Sequence, residues 1–234
     1  MQTIARTSPA DESRLGMAPG TTATFWVLAA FLASGAITGI YALGSEILAA
    51  QAEALATDAT TPVGTRAADL NALAQVEGFC VFRCQPRILV AGSAVRLAAA
   101  AALPAGQRAP LLARSRRDLD QARAAEPLNG AVLIQQAYAA ALVDHPAPAD
   151  VLALIERSYT VQPFSKTGGL WRIGAVTRNW DVASPPLKRE ALREAVWLPA
   201  AGVSETAVAN RFESAGLTLQ LDLARSLPPP DEKP

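Results

Sequence analysis

One histidine and two cysteines in 234 residues leave little from which to build a zinc or iron site, and they give a histidine-based triad a single candidate base. That base, His145, stands in the turn Asp144-His145-Pro146-Ala147-Pro148, a proline-flanked surface setting that suits a solvent-exposed bystander better than a general base. Charge is scarce as well: 18% of residues are charged, and 21 basic side chains balance 21 acidic ones, so no global field recruits nucleic acid. Outside the tail the only lysines are Lys166 and Lys188, neither in a Ser–Lys frame. No Gly-x-Ser-x-Gly elbow occurs, and Gly168-Gly169 lacks the lysine of a phosphate loop. The carboxylate pairs Asp118/Asp120 and Glu190/Glu194 sit in no glycosidase frame. The expectation is a protein without catalytic residues, cofactor or metal ion.

What the chain has in quantity is apolar surface, half of its residues being hydrophobic. Residues 21–44 contain no charge, and the apolar core from Phe25 to Leu43 spans about 29 Å as a helix, the thickness of a bilayer's hydrocarbon layer. Trp26 and Tyr41 stand near its two ends, where amphipathic rings settle at headgroup level. Gly35 and Gly39 form a small-xxx-small face suited to helix pairing. Arg6 and Arg14 precede the run and no basic residue lies between Ser45 and Arg66, so the positive-inside bias leaves residues 1–20 in the cytoplasm and the rest outside. A cleaved secretion signal is the alternative, but its apolar region runs about 7–15 residues, shorter than this one. A second apolar stretch, Ile88 to Leu103, carries Arg96 at its middle; at a bilayer centre that arginine costs about 2.5–3.5 kcal/mol. It reads as a helix buried in a soluble domain, with Arg96 reaching out to water.

Beyond a helical stalk at 45–60, residues 61–226 read as alanine-rich helices punctuated by proline and glycine, and 227–234 as a disordered tail. Helices are expected at Arg66–Glu77, Pro86–Leu103, Pro110–Ala125, Asn129–Val143, Ala149–Val161, Lys166–Asp181, Pro186–Leu198 and Ser204–Leu223. Leu112, Ser115, Leu119 and Ala122 share one face, as do Val151, Ile155, Ser158 and Tyr159. Arg114, Arg116 and Arg117 read as a solvated face answered by Asp118 and Asp120.

One spacing recurs. Leu119-x-x-Ala122 is followed by Pro127, and Ile155-x-x-Ser158 by Pro163, 36 residues further on. With the small residue admitting a close neighbour and the proline ending the helix, the pattern resembles a tetratricopeptide (TPR) unit of about 34 residues. The resemblance covers about 90 residues. Gln136 stands where that family has leucine, and the segment after Pro163 carries Gly168-Gly169-Leu170-Trp171 in place of the family pattern. It implies an all-α array of antiparallel helix pairs. The segments Arg157–Pro163, Leu170–Ile173, Asn179–Asp181 and Lys188–Glu194 are also similar to small single-span proteins of Gram-negative bacteria. The extracytoplasmic helical part of those proteins accompanies envelope or surface-polysaccharide assembly.

The i, i+4 spacing of Cys80 and Cys84 would bring their Cα atoms within bridging range in a helix, and Gly78 and Pro86 bracket the segment, which reads as a bent turn. In an oxidising periplasm a disulfide is favoured, with two buried thiols or a redox or metal role as the alternatives. Tyr138, Trp171, Arg172, Asn179 and Trp180 gather the aromatic, guanidinium and amide groups that interfaces and sugar sites use, core packing being the other reading of the rings. Together these features predict a single-pass inner-membrane protein whose periplasmic domain is a scaffold for other envelope or inner-membrane proteins. The competing readings are an envelope glycan binder or enzyme using Trp171 and Trp180, and a small subunit assembled through Gly35 and Gly39 of its span.

Overall fold

Prolines set the rhythm of the folded chain. A computed structural model describes residues 67–78 and 84–226, with Leu32, Ser34, Glu46 and Ala50 as single helical positions. The chain divides into two compact units, Met1–Gly44 and Ser45–Pro234. The expected span at 21–44 with Gly35 and Gly39, the stalk at 45–60, Cys80 and the tail at 227–234 lie outside the described residues, those single positions apart. Among the described residues no helix is long and apolar enough to cross a membrane.

The described part of the second unit is all-helical: α1 (Ala67–Gly78), α2 (Pro86–Ala102), α3 (Ala109–Ala125), α4 (Gly130–Ala141), α5 (Pro148–Val161), α6 (Gly169–Arg178), α7 (Pro185–Ala200), α8 (Glu205–Glu213) and α9 (Thr218–Ser226). Short 3₁₀ turns occupy Ala105–Gln107 and Trp180–Val182. Helices α2, α3, α5 and α7 each place proline in their first turn, where its missing N–H has no intrahelical partner to lose. Asn129, Ser184 and Ser204 cap α4, α7 and α8 by accepting the backbone N–H groups of Ala131, Leu187 and Ala207. The single helix expected at Ser204–Leu223 is two helices. Gly216 sits at φ +69°, and the N–H of Leu217 turns back to the carbonyl of Phe212, which ends α8. Gly202, at φ +87°, ends α7 in the same way, Val203 N–H bonding to Leu198 O.

Successive helices pack as antiparallel pairs, α2 with α3, α4 with α5 and α6 with α7; α8 and α9 then lie against α6 and α7. The 36-residue spacing runs further than Pro163. Ser115, Val151 and Leu187 occupy one register, Leu119, Ile155 and Ala191 the next, and Ala122, Ser158 and Glu194 a third; all nine are buried. Helices α3 and α5 also end alike, Glu126 N–H bonding to Ala122 O and Gln162 N–H to Ser158 O, each at 2.8 Å. In the third copy α7 continues through Pro199. The pairs share cores: Ala139 of α4 belongs to the cluster with α2 and α3, Ala137 to the one with α5, α6 and α7. A third cluster joins α6 and α7 to α8 and α9 around Ile173, Leu198 and Phe212.

Arg96 does not reach water. It is 6% exposed in the middle of α2, its guanidinium donating to Asp118 Oδ2 of α3 at 2.7 Å and to Glu77 of α1. Asp118 is likewise withdrawn from the basic face it was expected to neutralise. Arg114, half-exposed, reaches in to it at 3.4 Å, while Arg116 and Arg117 stay in solvent. A solvated arginine in an otherwise apolar helix was the simpler reading, but two carboxylates from neighbouring helices make burial tolerable.

Burial raises the pKa of Asp118 above its ordinary 3.8, against the opposing pull of Arg96 and Arg114 and with a further push from Glu77. A carboxyl raised by folding binds its proton more tightly in the native state, so its contribution to stability falls as pH rises from the unfolded value through the folded one. In Arg96→Met the two carboxylates face each other without their cation. The full chain is expected to lose about 3–5 kcal/mol at neutral pH, and to recover much of that loss near pH 4.5. Urea unfolding at both pH values measures this; a deficit independent of pH would show that the carboxylates do not share the arginine.

Candidate functional site

The five residues singled out for partner binding fall in one half of the array, on α4, α6 and the turn after α6, and the structure gives them two different jobs. Tyr138 of α4 and Trp171 of α6 meet edge to face, ring centroids 5.3 Å apart at 66°. Both are half-buried, so the contact joins the first helices of adjacent pairs and still presents ring edges outward. Burial raises the Tyr138 hydroxyl above its usual pKa, Arg108 opposing it. Trp180 opens the 3₁₀ turn after α6, half-buried against two of the cores, with Lys188 Nζ 5.5 Å from its ring centroid. Asn179 spends its amide at the end of α6, Nδ2 donating to Ala175 O at 2.9 Å.

Arg172 is not a surface residue. It is fully buried, and its guanidinium is consumed from within. Nε donates to Glu194 Oε2 at 3.1 Å and Nη2 to Glu194 Oε1. Nη1 reaches Ser158 Oγ at 3.2 Å and Gln162 O at 2.8 Å, and Nη2 also reaches Pro163 O at 3.3 Å. Its plane lies 4.0 Å over the Tyr159 ring, and the Tyr159 hydroxyl donates to Glu194 Oε2 at 2.8 Å. Glu194 Oε1 accepts Ser165 N–H at 2.9 Å as well. Burial first, then the facing Glu194 carboxylate, raises the Tyr159 pKa well above 10. The group is a closed clamp that joins α5, the loop after it, α6 and α7.

Gly169 is part of the clamp. A Cβ there would lie 2.7 Å from Glu194 Oε1, so only glycine lets the carboxylate approach the start of α6. Composition and spacing had not drawn attention to Glu194 as a partner for Arg172. The signal was nonetheless present: it takes the place of Ala122 and Ser158 in the 36-residue register, a charge where the first two copies have a small side chain.

Other candidates stand apart from this cluster. Cys84 is disulfide-bonded and half-buried beside the α2–α4 core. The chain's other cysteine, Cys80, lies outside the described residues. His145 is exposed in its turn. Phe164 and Trp197 stack at 5.2 Å, with Arg193 5.8 Å from the Phe164 ring centroid, a second half-buried aromatic pair beside the clamp. Among the described residues no cluster of three His, Cys, Asp or Glu side chains is arranged to hold a metal ion. A cleft of about 280 Å³ opens between the Ala105–Gln107 turn, α3 and the end of α4, but Arg108 on its wall is occupied by the carbonyls of Leu103 and Leu142.

The described residues therefore define an all-α array of stacked helix pairs. No family model, no curated protein and no solved structure matches the chain.

Removing one member of the clamp strands a buried charge. Arg172→Met and Glu194→Met are each expected to cost about 3–5 kcal/mol, and the double variant less than their sum, as a double-mutant cycle in urea would show. Strictly additive losses would mean that the two side chains are not coupled. Gly169→Ala should destabilise by about 1–3 kcal/mol although alanine favours helix, because the pinned carboxylate cannot give way.

Proposed function

We propose that the protein is a membrane-anchored scaffold. On this reading, residues 21–44 cross the inner membrane of a Gram-negative cell, and residues 61–226 form a TPR-like array in the periplasm that binds other envelope or inner-membrane proteins. The observation that carries it is the run of three helix pairs in a common 36-residue register, with Tyr138, Trp171 and Trp180 half-exposed where one pair meets the next. Arrays of this kind offer extended surfaces made of several units at once, and aromatic side chains at such joints supply large contact area at little entropic cost.

The anchor reading is supported by the length of the uncharged run and the aromatic residues near its ends. Anchoring would hold the array beside membrane partners and raise its effective concentration there. Arg172 and Asn179 have no direct part in this surface; they hold the helices that carry Trp171 and Trp180.

Two measurements in intact cells test it. With Leu128→Cys, a site 80% exposed, a membrane-impermeant maleimide should label the full chain without lysis; labelling only after lysis places the array in the cytosol and ends the reading. A photo-crosslinking amino acid at Val182, exposed beside Trp180, should form a discrete adduct with a membrane or periplasmic protein, whereas one at His145 should not. Equal, diffuse crosslinking at both sites would dismiss the aromatic joint as the partner surface.

A further inference from the structure

Three arginines of the first and third pairs are answered by carboxylates: Arg96 by Asp118 and Glu77, Arg114 by the same two, and Arg172 by Glu194. Two arginines near the far end are not. Among the described residues, the guanidiniums of Arg178, in the last turn of α6, and Arg211, in the last turn of α8, make no hydrogen bond or ion pair, yet they are brought together over Gly174. The point where a Cβ on Gly174 would lie is 3.4 Å from Arg178 Nη1 and 3.5 Å from Arg211 Nε, with Arg211 Cδ at 3.2 Å.

The repeat shows that this arrangement is a departure from the register. One and two units before Arg211, the same place holds Ala175 and Ala139, both buried. One unit before Gly174 stands Tyr138. An arginine has replaced a buried alanine on α8, and a glycine on α6 makes the space its stem needs. Both heads reach solvent. Burial of the head, and the facing Arg211 charge after it, lower the Arg178 pKa from its ordinary value.

We propose that Arg178 and Arg211, with Gly174 as the floor, form a site for a phosphate group. Two guanidiniums on separate helices, both within about 3.5 Å of one point and with no ion-pairing carboxylate among the described residues, can donate together to the oxygens of a single tetrahedral oxyanion. Like charges held this close repel until an anion stands between them, so the site is arranged for a ligand that the chain itself does not supply. A free phosphate and the headgroup of an anionic phospholipid present the same recognition chemistry. The proposal does not depend on the scaffold reading.

The test uses the full chain, labelled with ¹⁵N, in micelles of a nonionic detergent free of phosphate. Inorganic phosphate is titrated against a chloride control while the arginine Nε–Hε resonances are followed. Saturable shifts of two arginine resonances are expected, absent in Arg178→Gln and Arg211→Gln, with affinity lowered about tenfold in each. Gly174→Ala keeps both charges and a good helix former while pressing on Arg211, and should weaken phosphate to a similar degree. Circular dichroism confirms that each variant keeps its helices. A non-saturating response, or phosphate binding unchanged in any of the three variants, overturns the site. Doping the micelles with phosphatidylglycerol or phosphatidylcholine separates the sources. Displacement of phosphate by phosphatidylglycerol alone identifies a lipid headgroup, and no displacement by either identifies a soluble phosphate.

Discussion

The ion pair between Arg172 and Glu194 is the constraint on which the second half of the molecule depends. Both side chains are completely withdrawn from solvent, at a desolvation cost that only full hydrogen bonding offsets. That bonding is drawn from one helix and the loop after it: Ser158 and Tyr159 on α5, the carbonyls of Gln162 and Pro163, and the N–H of Ser165. None of these groups can shift without leaving a buried donor or acceptor unmade. The turn that aims α6 away from α5, and hence the placement of Trp171 and Trp180, follows from the clamp.

A weaker version of the same device stands at the other end. Arg96 and Asp118 are separated by 22 residues, as are Arg172 and Glu194, and in each case the arginine lies on the first helix of a pair and the acid on the second. The middle pair, α4 with α5, has no such bridge and relies on Ala137, Val151 and Ile155. Specific polar bonds thus fix the orientation within the first and third pairs and tie the third to α5, while apolar contact holds the middle pair together.

How much of this could be read from the amino acids follows from the range of the forces involved. Helix positions are set locally, by proline at first turns and by apolar residues at helical spacing, and the faces Leu112–Ser115–Leu119–Ala122 and Val151–Ile155–Ser158–Tyr159 are buried as their periodicity requires. Where the outcome depended on a residue in another helix, local pattern failed. Arg96 looked like a surface side chain because its acceptors are 19 and 22 residues away. Arg172 looked like an interface residue because its acceptor Glu194 lies 22 residues away on another helix. The break at Gly216 was missed because α8 and α9 keep a continuous apolar stripe across it, which outweighed the glycine. The third copy of the repeat was hidden by Glu194 and Ala191, which differ in size and charge from the residues at the same places in the first two copies.

A stack in which each pair touches chiefly its neighbours behaves as a one-dimensional chain of dominoes, and its cooperativity depends on where each shared core lies. Helix α4 contributes Ala139 to one core and Ala137 to the next, and α6 does the same with Ala175 and Ile173. Melting of either helix would cut two interfaces at once and sever the array, whereas α9 holds only one and can fray alone. The sturdiest part of such a molecule is its middle, and strain applied at the far end dissipates before it arrives there.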